Sequence, residues 1–192
     1  MKNLGTFHLR DAILSLVLLC PVSVFAQDGP GGKPEMAAPT PQMAGSMHAQ
    51  KVRSTSVTVT LGDRSLTLDA AAVAAMPHET VTVINGHTKA SEIYTGVPIA
   101  AILAKLGLPF EKANEHTLLR TYFVAEGTDG YRVLLSTYET LAAIREKSVI
   151  VADSLDGRPL ANDGAFKLVI PGDTRPQRWV QNLKSISFKT IE

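Results

Sequence analysis

The chain has 192 residues and carries 19 lysines and arginines against 18 aspartates and glutamates, a formal net charge of +1 at pH 7. This near-neutral balance provides no electrostatic attraction for nucleic acid or for an anionic membrane surface, so we expect neither as a partner. The single cysteine, Cys20, cannot form a disulfide within the chain, which must therefore rely on its hydrophobic core for stability.

Residues 1–26 have the pattern of a secretory signal peptide. Lys2 and Arg10 provide a positively charged start, residues 12–19 form an apolar run, and Ala26 ends a stretch that suits cleavage. The apolar run is shorter than the ~20 residues that a membrane-spanning helix needs. We therefore expect cleavage after about Ala26, a periplasmic or secreted location, and no membrane insertion after cleavage. Because Cys20 would leave with the signal, the mature chain is expected to be cysteine-free.

Residues 27–54 are rich in Pro, Gly, Ala, Met and Ser and show no hydrophobic period. This composition predicts a disordered linker. The linker contains Met36, Met43, Met47 and His48, and soft thioether ligands of this kind can hold Cu(I). A copper-handling tail is therefore one hypothesis, and a flexible linker that happens to contain methionines is the other.

The folded domain is predicted at residues 55–192, and its first half reads as strands with short helices. Alternating residues at 56–61 and 66–68, separated by a Gly-Asp turn, predict a hairpin. Asp69 can cap a short helix at residues 70–76, and residues 80–84 alternate as a strand. Pro98 suits the first turn of an apolar helix that Gly107 would end.

The second half of the predicted domain also combines strands with short helices. Residues 118–125 and 131–135 read as strands joined by a glycine-containing turn, and a capping box at Ser136 predicts a helix through about Glu146. Further strands are expected at residues 149–152, 167–170 and 186–188. Because strands and short helices mix without a regular βαβ alternation, the pattern predicts an α+β fold with a mixed, barrel-like sheet core.

The sequence contains no recognisable metal or nucleophile motif. Four histidines follow the signal peptide, and none has the spacing of a ligand cluster, so we expect surface or turn histidines and no metal site. The sequence also has no nucleophile elbow, phosphate loop or dinucleotide fingerprint, so it does not indicate any catalytic residues. These histidines are His48, His78, His87 and His116.

The most informative stretch is residues 164–180, where an apolar strand leads through Pro-Gly-Asp into a loop containing Arg175, Arg178 and Trp179. Two guanidiniums beside the backbone amides of a turn could bind a phosphate or another oxyanion. Tyr131 could line the same cleft through its hydroxyl, or it could pack in or against the sheet, which is the interpretation that we favour. In the alternative interpretation the segment is a tight turn, Trp179 belongs to the core, and Arg178 covers its ring.

Motifs in series along residues 80–188 resemble the sulfite-oxidase-type molybdopterin-binding domain of oxidoreductases. The resemblance covers most of the predicted domain, and it implies the sulfite oxidase fold with Arg178 in the neighbourhood that holds the pterin. The motifs are YTGVPI at 94–99 with its helix to Gly107, DGY at 129–131 with Leu135 and Glu139, the 151–160 segment with DGRPL, and the closing KLVIPG with RWV.

In the same family a cysteine that binds molybdenum follows the strand before the YTGVPI motif, and residues 81–86 of this chain have no cysteine. Our leading hypothesis is therefore a periplasmic binding or accessory module, whose cleft near Arg175, Arg178 and Tyr131 receives a small anionic ligand or a protein partner. One alternative is a genuine molybdopterin-dependent oxidoreductase with a non-cysteine metal shell. The other is the copper-handling protein.

Overall fold

The structure is a computed structural model that describes residues 52–86 and 88–192. The chain divides into two units, residues 1–43 and 44–192, and all described residues belong to the second. The predicted signal peptide at 1–26, nearly all of the predicted linker at 27–54 including its Met and His residues, and His87 lie outside the described residues.

The described chain forms an α+β domain, as predicted. Its ten strands are β1 Ser56–Leu61, β2 Arg64–Asp69, β3 Glu79–Ile84, β4 Ser91–Pro98, β5 Thr121–Gly127, β6 Arg132–Ser136, β7 Ile150–Leu155, β8 Arg158–Pro159, β9 Lys167–Val169 and β10 Leu183–Thr190. Its helices are α1 Ala70–Ala74, α2 Ile99–Lys105, α3 Glu115–Leu119 and α4 Ala142–Arg145, with 3₁₀ turns at Lys112–Asn114, Tyr138–Thr140 and Pro176–Arg178. No helix in the part of the chain that the structure describes is long and apolar enough to cross a membrane.

The strands form two open five-stranded sheets. The first has the order β2-β1-β10-β5-β6, in which β1 and β10 are parallel and the other neighbours antiparallel. The second has the order β3-β4-β7-β8, and β9 also pairs with β7. The prediction of a barrel-like core is wrong for the described residues, because each sheet ends in edge strands and does not close on itself.

The main core lies between the two sheets. The alternation of β1 turns Val57 and Val59 inward, and Phe123 of β5, which is next to the central strand β10, is buried in the same core. On α2, Ile102 and Leu103 are fully buried in this core. A smaller apolar cluster, which includes Val81, Tyr94, Ile150 and Val169, covers the other face of the second sheet. Strand β7 is therefore buried on both faces, and Trp179 packs against both clusters.

Several local predictions are confirmed by the structure. The β1–β2 hairpin forms, and the Asp69 carboxylate accepts a hydrogen bond of 2.8 Å from the backbone N–H of Ala72 at the start of α1. Gly107 follows α2 with φ of +78°, a left-handed conformation that glycine adopts at little cost. Each of these features depends on residues close together in sequence.

One predicted helix is wrong, and one predicted strand begins later than expected. The helix expected from Ser136 to Glu146 is broken, because Ser136 belongs to β6 and Leu141 is extended between a 3₁₀ turn and the four residues of α4. The strand expected from residue 118 begins only at Thr121, since Leu118 is buried as part of α3. The Thr121 hydroxyl donates a 2.7 Å hydrogen bond to the Thr117 carbonyl and marks that change.

The close approach of β4 and β7 requires glycine at position 96. A Cβ atom there would clash with the carbonyl oxygen of Val151 and lie 2.5 Å from the Cα of Ala152. We expect Gly96→Ala to lower the free energy of unfolding by about 3 kcal/mol, because backbone atoms of a central strand must move. Urea unfolding followed by circular dichroism measures this.

Gly86→Ala is the matched control, since a Cβ at Gly86 meets no heavy atom of the described residues within 4 Å. We expect it to change the free energy of unfolding by at most about 0.5 kcal/mol. Equal effects of the two substitutions would contradict the packing argument.

Candidate functional site

A cleft of about 570 Å³ brings together side chains from stretches that are distant in sequence. These stretches are the end of the β3–β4 hairpin, the β5–β6 turn, strand β9 with the loop before it, and the loop that carries Trp179. The lining residues are Ile84, Asn85, Gly86, Glu92, Tyr94, Asp129, Tyr131, Leu155, Asp163, Lys167, Asp173, Thr174, Pro176, Gln177, Trp179 and Gln181.

Lys167 contributes a buried ammonium group to this cleft. Its side chain is 8% exposed, and its Nζ donates hydrogen bonds to Asp163 Oδ2 at 2.7 Å and to the Tyr94 hydroxyl at 3.1 Å. The same Nζ lies 4.9 Å from the centre of the Tyr94 ring and 5.3 Å from that of Trp179. Because a buried charge is costly unless it is paired, the carboxylate and the two rings together make this position stable.

The two rings are held in a defined arrangement. Tyr94 and Trp179 meet edge to face, with ring centres 5.6 Å apart and planes at 89°. The indole N–H of Trp179 donates a 3.0 Å hydrogen bond to the carbonyl of Ile170, and the Tyr94 hydroxyl donates one of 3.1 Å to Glu92. Burial raises the pKa of Tyr94 well above its ordinary value, and the nearby charge of Glu92 adds to the effect. The hydroxyl therefore stays protonated and keeps donating to Glu92.

The loop above the cleft is held by a carboxylate that two arginines share. Asp173 Oδ1 lies 2.8 Å from Arg145 Nη2 and 2.6 Å from Arg178 Nη2, and Asp173 Oδ2 accepts a further bond of 2.9 Å from Arg178 Nε. Arg178 also reaches Glu139 at 3.1 Å. Burial of Asp173 opposes its ionisation, but the hydrogen bonds from Arg178 and Arg145 outweigh burial, and the pKa of Asp173 lies below its usual value.

The predicted site residues divide into two groups. Tyr131 lines the cleft, and its hydroxyl donates a hydrogen bond to the carbonyl oxygen of Gln177 across the mouth. Arg178 is not among the lining residues, because its guanidinium faces Asp173 and Glu139. Arg175 is exposed and also lies outside the lining. The cation above the Trp179 ring is Lys167, whereas the alternative interpretation placed Arg178 there.

Sequence reasoning missed Lys167, Asp163 and Glu92. A lysine inside the apolar run from Phe166 to Ile170 is the one pattern that could have indicated a buried charge, since such residues are rarely buried without a partner. Asp163 is four residues before Lys167, but nothing in the sequence shows that these two side chains share a cavity with Glu92. Their placement depends on the pairing of β4 with β7 and of β7 with β9.

The described histidines lie away from the cleft. His116 is exposed on α3. His78 places Nε2 2.9 Å from Asp153 Oδ2 and Nδ1 2.8 Å from the Met76 carbonyl, so both ring nitrogens face acceptors. The hydrogen bond to Asp153 raises the pKa of His78 and favours the imidazolium. Within the described residues, no three His, Cys, Asp or Glu side chains form a group that could hold a metal ion.

A second groove, of about 700 Å³, is lined mainly by apolar groups such as Leu160 and Phe166. The cleft is the better candidate because it combines convergent polar groups with the shifted pKa values of Tyr94 and Asp173, a combination typical of functional sites. The chain matches no family model, and no curated protein matches it either.

The cleft does not fit the cofactor that the sequence resemblance implies. Molybdopterin binds its metal through a dithiolene, carries a phosphate, and in that family relies on a cysteine ligand, so it needs cationic donors and a thiolate. The lining has four carboxylates and one ammonium, and that ammonium is already paired. Ile84, Asn85 and Gly86, from the stretch where the family cysteine is expected, line the cleft without offering a thiolate.

The shared carboxylate predicts a pH-dependent contribution to stability. We expect Asp173→Asn to lower the free energy of unfolding by about 2 kcal/mol at pH 7, because Arg145 and Arg178 lose a charged acceptor. The folded-state pKa of Asp173 lies below the unfolded value of about 3.9. Its stabilising effect is therefore complete above that value and disappears as pH falls through the folded pKa.

Urea unfolding of the wild type and Asp173→Asn at pH 7, 5 and 3 tests this. The difference between the two proteins is expected to persist at pH 5 and to shrink at pH 3. Asp63→Asn, an exposed substitution in the β1–β2 turn, serves as the control and should have little effect. A difference that stays constant across the range would refute the role of the Asp173 charge.

Proposed function

We propose that this chain is a periplasmic or secreted binding module whose cleft holds a small molecule or a segment of a partner protein. The observation that carries this proposal is that residues from three distant stretches of the chain line one cavity. They are Ile84 to Gly86, then Asp129 and Tyr131, and then Asp173, Thr174, Pro176, Gln177 and Trp179. The first stretch is where the missing cysteine of the molybdopterin-binding domain is expected, and the other two belong to motifs on which the resemblance to that domain is based. A fold that keeps such a cleft but changes its lining is suited to binding a different ligand.

The lining supports binding more than catalysis. Three of its four carboxylates and its one ammonium are engaged with other side chains: Lys167 with Asp163, Asp173 with two arginines, and Glu92 with Tyr94. The alternative of a molybdopterin-dependent oxidoreductase requires a cofactor that this lining does not fit. The alternative of copper handling rests on Met36, Met43, Met47 and His48, which lie outside the described residues, and it stays a prediction from the sequence.

Export is the remaining part of the proposal. It is supported by the charged start and the apolar run of residues 1–26. The ligand would then come from the periplasm or the medium. We propose that the protein has no nucleic-acid partner, because its charge is nearly balanced.

Trp179 provides a direct test of the binding module, because it is the only tryptophan of the chain and its ring lines the cleft. We expect a low-molecular-mass extract of the native periplasm to change its emission in a saturable way. Tyr131→Ala should remove the response, since Tyr131 forms part of the wall. Leu134→Ala, an exposed substitution on the neighbouring strand outside the cleft, should keep it.

The oxidoreductase alternative is tested on the same protein purified from its native host. We expect molybdenum and pterin contents far below one per chain, by elemental analysis and pterin fluorescence. Near-stoichiometric molybdenum would overturn the proposal. So would an emission response that Tyr131→Ala and Leu134→Ala leave equally intact, because the ligand would then bind elsewhere.

A further inference from the structure

The charges that line the cleft determine which ligands it can accept. Two of its four carboxylates are neutralised by cations of the protein itself. Asp163 is paired with Lys167 at 2.7 Å, and Asp173 is paired with Arg145 at 2.8 Å and with Arg178 at 2.6 Å. These groups fix the architecture and leave little charge for a ligand.

The other two carboxylates of the lining, Glu92 and Asp129, are not neutralised in this way. Within the described residues neither carboxylate forms an ion pair with a lysine or an arginine. Among the described residues, the donors to Glu92 are neutral groups, the Tyr94 hydroxyl at 3.1 Å and the Asn85 amide, while Asp129 Oδ1 accepts a hydrogen bond of 3.0 Å from the backbone N–H of Tyr131. Glu92 belongs to β4 of one sheet and Asp129 to the turn after β5 of the other, so the two approach the cavity from different elements.

The aromatic side chains of the lining, like its carboxylates, suit a positively charged ligand. Tyr131 lines the cleft and is 47% exposed. Deeper in, the Lys167 ammonium already lies over the faces of Tyr94 and Trp179, which shows that the aromatic part of this cavity accommodates a cation. An anion entering the same space would meet Glu92 and Asp129 without a free positive partner among the lining residues, since Lys167 is engaged.

We infer that the cleft binds a ligand through an ammonium or guanidinium group, which Glu92 and Asp129 neutralise and the ring of Tyr131 covers. This inference rests on the proposed function, that the cleft is a ligand site, and names the chemical class of the ligand. It replaces the anionic ligand expected from Arg175 and Arg178, because those guanidiniums do not line the cavity. The cationic group can belong to a free organic amine or to a basic side chain of a peptide.

Direct titration tests the inference. The probes are agmatine, which carries both an ammonium and a guanidinium, a short arginine-containing peptide with a neutral remainder, and inorganic phosphate as the anion. Binding is followed by calorimetry and by Trp179 emission. We expect saturable binding of at least one cationic probe, none of phosphate, and weaker binding as salt is added, because screening reduces attraction between partly exposed charges.

Isosteric variants identify the groups responsible. Glu92→Gln and Asp129→Asn keep the side-chain shape but remove the charge. Asp129→Asn keeps an acceptor oxygen for the Tyr131 N–H, and Glu92→Gln keeps one for the Tyr94 hydroxyl while its amide nitrogen replaces the oxygen that accepts from Asn85. Each is expected to lower the affinity of the protein for the cationic probe by about tenfold or more, the usual effect of losing a hydrogen bond to a charged group. Glu126→Gln is the matched control, since Glu126 lies outside the lining and pairs with Arg132 and Lys184, and it should leave the affinity unchanged.

The outcomes separate this inference from the proposed function. Binding of agmatine indicates a free amine as ligand, and binding of the peptide alone indicates a basic partner segment; both support the inference. If the cleft responds to the periplasmic extract but the cationic probes bind no better than phosphate, the inference fails and the binding module stands. If Glu92→Gln and Asp129→Asn behave like Glu126→Gln, the inference also fails. If neither the extract nor any probe binds, both proposals fall.

Discussion

The buried ammonium of Lys167 is the constraint on which the candidate site depends. A charge in this position must be paired, and the pairing requires Asp163, the Tyr94 hydroxyl and the faces of Tyr94 and Trp179 to meet at one point. These groups come from β4, from β9 with its preceding loop, and from the segment before β10. Lys167 therefore connects the outer face of the second sheet to the loop that carries Trp179. Its charge also keeps the adjoining cleft polar.

The arginines of that loop show how a charged motif can serve architecture. Arg178 and Arg145 approach the same carboxylate, Asp173, from the closing loop and from α4. Each guanidinium is thereby committed to an internal partner, and the loop is held over the cleft. A pair of arginines beside a Pro-Gly-Asp turn looks like an anion site when only the sequence is considered. In the folded protein, Arg178 supports the roof of a cleft whose lining is acidic.

The sequence resemblance and the chemistry of the cleft therefore lead to different expectations about the charge of the ligand. Residues from several of the motif segments line one cavity. The side chains that these segments present are carboxylates, aromatic rings and one paired ammonium, which suit a cation better than an anionic pterin. Function follows the groups in a site more closely than it follows the fold, and the charge of Glu92 and Asp129 is for that reason the property to measure.

The sequence by itself determined the features whose causes lie within a few residues. The hairpin at β1–β2, the Asp69 cap of α1, and the glycine at the end of α2 follow from local alternation, capping and backbone freedom. The capping-box prediction at Ser136 failed because pairing with β5 outweighs a local helix preference at that position. Local propensity is weak compared with the free energy of joining a sheet, so such conflicts are resolved by long-range contacts.

Only the tertiary structure decided the site. From its motif, Tyr131 could either line the cleft or pack against the sheet. Lys167 meets Tyr94 through strands that are far apart in the chain, and the guanidinium of Arg178 is engaged by Asp173 and Glu139. Whether a charged side chain is free or neutralised depends on which other charges the fold brings within about 3 Å of it, where the interaction is strong enough to decide its role. A linear pattern specifies which charges exist, and their three-dimensional pairing determines which of them remain for a ligand.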